Sequence, residues 1–156
     1  MNKTDSKNTV HDELQIWLSE DRIQEKIIEK FCFPVLGVEN RKIEIIHEPG
    51  DIEHLINTWS YGKRFIDLRR KWYYDDPVEY GEDFKQEVIN YYEIKISEQS
   101  TGEILRQLNV YYSGFKPKPQ EKVFFFVVCE DDSWLLKYKN VIEDNGWKII
   151  TPTDIR

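Results

Sequence analysis

Long apolar runs are missing from this sequence. The longest, Val123–Cys129, spans seven residues, the length of a strand and far short of the roughly 20 that a bilayer-spanning helix needs. Cysteine is scarce too: Cys32 and Cys129 have neither metal spacing nor a framework of partners. Reduced thiols in a cytoplasmic protein are the expectation. The polar opening Met1–Asn8, without the apolar stretch of a secretory signal, points the same way. Three histidines without carboxylate or cysteine spacing do not make a zinc site. No G-x-S-x-G elbow, Walker loop or Rossmann glycine fingerprint occurs. Positive charge is in deficit, 22 Lys+Arg against 29 Asp+Glu for a net −7. That balance argues against a protein that coats nucleic acid nonspecifically, though it leaves room for a local basic groove.

What is present fits one domain. The chain has 156 residues, 40% hydrophobic and 33% charged, enough to bury a core but short for two. Residues 1–8 read as a flexible end and 9–156 as a single α/β domain. Val10, Leu14, Trp17 and Leu18 suggest a short helical turn. Ser19 then caps a helix with Ile23, Ile27, Ile28 and Phe31 on one face, stopped by Pro34 and Gly37. Arg41–His47, Arg64–Tyr73 and Val88–Ser97 read as strands, and Asp51–Trp59 is ambiguous between helix and irregular chain. Ser100–Glu103 is a capping box opening a helix through Tyr112. Gly114–Gln120 is a loop. Val123–Cys129 is a strand apolar on both faces, hence central. A helix capped at Asp132 or Ser133 and a last strand, Trp147–Ile150, follow. This order predicts a mixed sheet of about five strands flanked by helices.

The chemistry concentrates at Glu93-Ile94-Lys95. Residues two apart on a strand share a face, so Glu93 and Lys95 project together while Ile94 and Ile96 enter the core. One strand earlier, Asp67 sits among apolar neighbours and meets Glu93 if the strands pair as a meander. Two such carboxylates suit a hard divalent cation, Mg²⁺ or Mn²⁺. An adjacent lysine is placed to orient water or to stabilise charge developing on a phosphate. The alternative use of the same residues is a same-face ion pair on a sheet surface.

Asp67, Glu93-Ile94-Lys95 and, on the following helix, Gln107 and Tyr111 together resemble the PD-(D/E)XK nuclease superfamily, with the Q-x-x-x-Y pattern of RecB-type members. The resemblance covers roughly Ser19 to Cys129. It implies a restriction-endonuclease-like core of helix, three-strand meander, helix and strand, and Mg²⁺-dependent hydrolysis of DNA. Asp67 and Glu93 would then ligate metal, Lys95 position or activate water, and Gln107 support them. The sequence departs from the pattern in lacking a proline before Asp67 and in the long spacing to Glu93. Neither His47 nor His54 matches the upstream histidine of RecB-type enzymes, and two cysteines cannot supply that family's iron–sulfur branch.

Other candidates lie around this set. Glu20 falls on the core face of the first strong helix and is a possible further catalytic acid, or simply a first-turn complement to the dipole. Lys63, Arg64, Arg69, Arg70 and Lys71, followed by Trp72, Tyr73 and Tyr74, form a basic and aromatic edge suited to phosphates and an opened base. The same edge reads equally as a charged guard against aggregation. Arg106 and Tyr111 extend the nucleic-acid-facing set, as do Lys116 and Lys118. DNA is the expected partner and a homodimer is possible, with no membrane. The rival readings are a nuclease-fold module that binds nucleic acid or protein without cutting, and a protein-binding regulator from a mobile element.

Overall fold

The computed structural model describes residues 3–58, 62–77, 84–96, 101–113, 121–130 and 139–155. Helical segments come first: α1 (Lys3–Ser19), α2 (Asp21–Ile27), a π-helical turn over Ile28–Cys32, and α3 (Phe33–Leu36). The expected single turn before Ser19 is a full helix, and it begins inside the segment read as a loose end. Ser19 closes α1 instead of capping α2, its Oγ donating to the Ile16 carbonyl at 2.6 Å. Glu20, in extended conformation, is the N-cap residue of α2. Gly37, at φ 72°, takes the left-handed turn that ends α3.

The strands are β1 (Ile43–Ile46), β2 (Ile52–Thr58), β3 (Gly62–Asp75), β4 (Lys85–Ile94), β5 (Lys122–Val128) and β6 (Trp147–Ile150). Helix α4 (Thr101–Ser113) precedes β5, α5 (Lys139–Asp144) precedes β6, and α6 (Pro152–Ile155) follows it. All six strands share one mixed sheet in the order β1-β3-β4-β5-β6, with β2 also on β3. Strands β1, β2 and β4 are antiparallel to β3, whereas β4, β5 and β6 are parallel. Leu68 pairs with Tyr92 on one side and Ile52 on the other, so β1 and β2 lie end to end along one edge of β3. The strand beyond the expected five is β2. Its sequence has no clear period, and pairing with β3 decides its conformation.

Helices cover both faces. Leu14, Leu18, Ile23, Ile27, Ile28 and Phe33 pack on Leu68, Trp72, Tyr92 and Phe126. On the opposite face Leu108, Tyr111 and Ile142 pack on Ile66, Ile89, Tyr91, Phe125 and Trp147. β5 contributes alternate residues to both clusters, Phe126 and Val128 to one, Phe125 and Val127 to the other. It is therefore the doubly covered interior strand that its unbroken apolar run predicts.

A buried polar chain ties the first helices to the sheet. Trp72 Nε1 donates to Asn90 Oδ1 at 3.1 Å, Asn90 Nδ2 to the Tyr92 hydroxyl at 3.0 Å, and that hydroxyl to Gln24 Oε1 at 2.7 Å. The aromatic edge expected to stack on an opened base is thus mostly core: Trp72 is fully enclosed and Tyr74 nearly so. Strand alternation is the reason, since even-numbered residues from Leu68 to Tyr74 face the helices.

Candidate active site

One step beyond the Leu68–Tyr92 pair, Asp67 and Glu93 stand side by side on β3 and β4, and their carboxyl groups hydrogen-bond one another. The sheet is irregular at this point. Ile52 pairs with Leu68 and His54 with Ile66, which sets Glu53 across from Asp67. Glu53 has a left-handed backbone, φ 53°, a conformation that a non-glycine residue keeps only where its surroundings hold it. The Asp67 carbonyl accepts from Gln15 Nε2 of α1 at 2.8 Å. The same amide reaches the Glu53 carboxylate at 3.4 Å. Ile66 and Leu68, two residues apart, belong to clusters on opposite faces. The facing of β3 therefore reverses at Asp67, which lets its side chain meet α1 and β4 together.

Both Asp67 oxygens are held. Oδ1 lies 2.8 Å from His11 Nε2, and Oδ2 accepts the Ile94 N–H at 2.7 Å. Burial alone would push this carboxyl up, but the His11, Glu93 and Ile94 hydrogen bonds together with the His11 charge outweigh it and leave it below its ordinary range. Its partner behaves oppositely. Burial first, then the Asp67 charge and hydrogen bond, push Glu93 well up, against the opposing pull of Lys95 and Tyr111. The hydrogen bond from His11 to Asp67 lifts the imidazole to about 9 despite the opposing effect of burial, with the charges of Asp67 and Asp12 adding to it. The three groups form a row in which the surroundings favour the charged imidazole of His11, the ionised form of Asp67 and the protonated form of Glu93.

Lys95 and α4 complete the cluster. The Lys95 N–H donates to the Val128 carbonyl at 2.8 Å, which carries the β4–β5 ladder past the end of β4 and keeps Lys95 on the Glu93 face. Its amine donates to Gln107 Oε1. Gln107 Nε2 reaches the Tyr111 hydroxyl at 3.5 Å, and that hydroxyl bonds Glu93. Gln107 and Tyr111 stand four apart on α4, hence on one face of the helix. The Q-x-x-x-Y pair thereby links Lys95 back to Glu93. Among the described residues Glu93 Oε2 is buried without a hydrogen-bond donor.

Several sequence candidates fall elsewhere. Glu20 is at the surface, paired with Arg22 at 3.2 Å, because the start of α2 turns it outward. Arg69 is bound to Asp51 at 2.8 Å and Arg70, itself buried, to the other Asp51 oxygen at 3.0 Å. Lys71 lies between Glu48 at 2.9 Å and Glu87 at 3.2 Å. These three cations are neutralised within the fold, which corrects their reading as a free phosphate-binding edge. Tyr111 is corrected as well: its ring is buried on the second cluster and its hydroxyl serves Glu93 instead of a nucleic acid. Arg106 is exposed on α4. Lys116 and Lys118 lie outside the described residues.

His11 and Gln15 were missed. Neither His47, bound to Asp21 at the surface at 2.7 Å, nor His54, on the Gly50 carbonyl at 2.9 Å, stands beside the carboxylates; His11 does. The available signal was the face of α1, where His11, Leu14, Gln15 and Leu18 recur at helical spacing with two polar groups on an otherwise apolar stripe. Among the described residues no three His, Cys, Asp or Glu side chains converge as a ready-made metal cage. No family model matches the chain, and no curated protein or solved structure matches it significantly.

Proposed function

We propose that this chain is a metal-dependent nuclease that hydrolyses phosphodiester bonds in DNA, on a restriction-endonuclease-like core of the PD-(D/E)XK type. The observation that carries the reading is the buried Asp67–Glu93 pair with Lys95 and Gln107 on the same face. Two touching carboxyl groups that share a proton fit a cation in the proton's place, and the open Glu93 oxygen is a free ligand atom. Two carboxylates without a third ligand suit Mg²⁺ or Mn²⁺, which keep several waters and take substrate oxygens. Asp67 and Glu93 would hold the ion. When bound, it supplies charge neutralisation at the phosphate and a water of lowered pKa.

The chain's own residues do the rest. His11 and the Ile94 N–H fix both oxygens of Asp67 and keep it ionised. Tyr111 orients Glu93. Lys95, steadied by Gln107, presents its donor hydrogens on the carboxylate face, where negative charge builds on the phosphoryl oxygens during attack. The second reading, a module of this fold that binds without cutting, draws on the ion-paired state of Arg69, Arg70 and Lys71, which removes much of the expected groove. Incubating linear and circular DNA with purified protein, with Mg²⁺ or with EDTA, separates the two. Lys95→Met keeps the aliphatic stem and should lower single-turnover cleavage about 10²-fold or more with little change in affinity. Equal cleavage by both proteins would mean a contaminating nuclease, and no metal-dependent cleavage by the wild type would leave the binding module.

A further inference from the structure

The β2–β3 hairpin carries features that the carboxylate cluster does not use. The described pairing of β3 with β4 begins at Leu68, so among the described residues Gly62–Ile66 pairs with β2 alone. On one face of this ribbon Ile56 and Ile66 are buried with Leu108 of α4. Strand alternation sends the next residues the other way. There Leu55 and Phe65, direct cross-strand partners, are 39% and 54% exposed. Lys63 shares that outer face with them, whereas Arg64, the cross-strand partner of Ile56, starts from the other face. Both cations are exposed. Arg64 Nη1 donates to the Lys63 carbonyl at 3.0 Å, and among the described residues neither side chain pairs with a carboxylate. They contrast with Arg69, Arg70 and Lys71 further along the strand, each bound to acids. The acid on the same stretch of β2, Glu53, is itself in contact with Gln15 at 3.4 Å. Phe65 stands two residues, about 7 Å of extended strand, from Asp67.

We infer that this outer hairpin face is a docking platform for an unpaired nucleic-acid strand, with one base stacked on Phe65 against Leu55 and the adjoining phosphate on Lys63. An exposed ring beside a cation that no carboxylate among the described residues pairs, on a chain of net charge −7, is complementary to a base next to its phosphate and ill-suited to a neutral apolar partner. The inference rests on the nuclease reading for its direction: the strand leads from Phe65 toward Asp67, so single strands or frayed ends are bound in preference to blunt duplex.

The test is fluorescence anisotropy of the full chain with a labelled 20-nucleotide oligothymidine and with a blunt duplex of equal length, in EDTA so that nothing is cut. Wild type should favour the single strand. Phe65→Ala, at an exposed position, should keep the wild-type melting temperature and weaken single-strand binding by about tenfold or more, the usual scale of one lost base stack. Lys63→Ser should make the slope of log K against log[salt] shallower by about 0.7, from one phosphate contact on a single strand. Unchanged affinity and slope would overturn the platform. A concentration-dependent dimer in sedimentation that Phe65→Ala abolishes would also overturn it, in favour of contact between copies. Single-strand binding lost in Phe65→Ala without any metal-dependent cleavage by wild type would keep the platform and sink the nuclease. Cleavage by wild type with binding indifferent to Phe65 would do the reverse.

Discussion

Asp67→Asn removes one negative charge from a place where His11 and the Ile94 N–H both depend on it. In the native protein the His11 imidazole is lifted from 6.5 to about 9, first by its hydrogen bond to Asp67, which corresponds to roughly 3 kcal/mol in favour of the charged ring. Its side chain is 23% exposed, so solvent screens part of this and about 2 kcal/mol is the expected share. Asparagine also has one oxygen where two donors need acceptors, and the donor left facing an amide NH₂ costs about 1–3 kcal/mol more. The sign follows from linkage. A group raised in the folded state stabilises fully below its unfolded value near 6.5, and that stabilisation disappears as pH rises through about 9. Glu93, relieved of a like-charged neighbour, moves the difference between the two proteins the same way. Urea unfolding should therefore show a gap of about 4 kcal/mol near pH 6 that narrows by about half near pH 10. The His11 midpoint, followed by proton NMR, should fall well below 9 in the variant, because burial remains and only Asp12 is left to raise it. A midpoint still near 9, or a gap independent of pH, would refute the proposed charge row.

Two further outcomes follow from the same geometry. Mg²⁺ or Mn²⁺ at about 100 times its Kd should raise the melting temperature by about 5–10 °C, more at higher pH because Glu93 must give up its proton; Glu93→Gln should abolish the shift, and a shift that survives would place the ion elsewhere. Arg70→Met should cost about 3–5 kcal/mol, since it leaves Asp51 buried beside one arginine instead of two and frees the Ser19 carbonyl; a loss under 1 kcal/mol in denaturant unfolding would return Arg70 to the solvated edge.

Local pattern carried much of this protein. Ile23, Ile27 and Ile28 required a helix buried on one face, and α4 starts at Thr101, where the sequence signal set a helix. The apolar run at Val123–Cys129 marked an interior strand, because a strand covered on both faces needs apolar residues at every position. Glu93 and Lys95 had to share a face, since the side-chain period of a strand is two, and Gln107 and Tyr111 had to share another by the helical period. These relations are short in sequence, so local geometry alone sets them.

What only the tertiary structure decided depends on contacts between distant segments. The approach of Asp67 to Glu93 needs the β3–β4 register, and its meeting with His11 needs a strand whose facing reverses at Asp67, opposite a left-handed Glu53. No period of one or the other strand encodes that reversal. The fate of the basic run was equally hidden. Arg69, Arg70 and Lys71 look like a groove until Glu48, Asp51 and Glu87 close on them, because a charge is read from composition but its partner only from the fold. His11 was out of reach for the same reason. It is one polar residue on an apolar stripe of α1, and it becomes part of a site only because 56 residues later the sheet brings Asp67 within 2.8 Å of it.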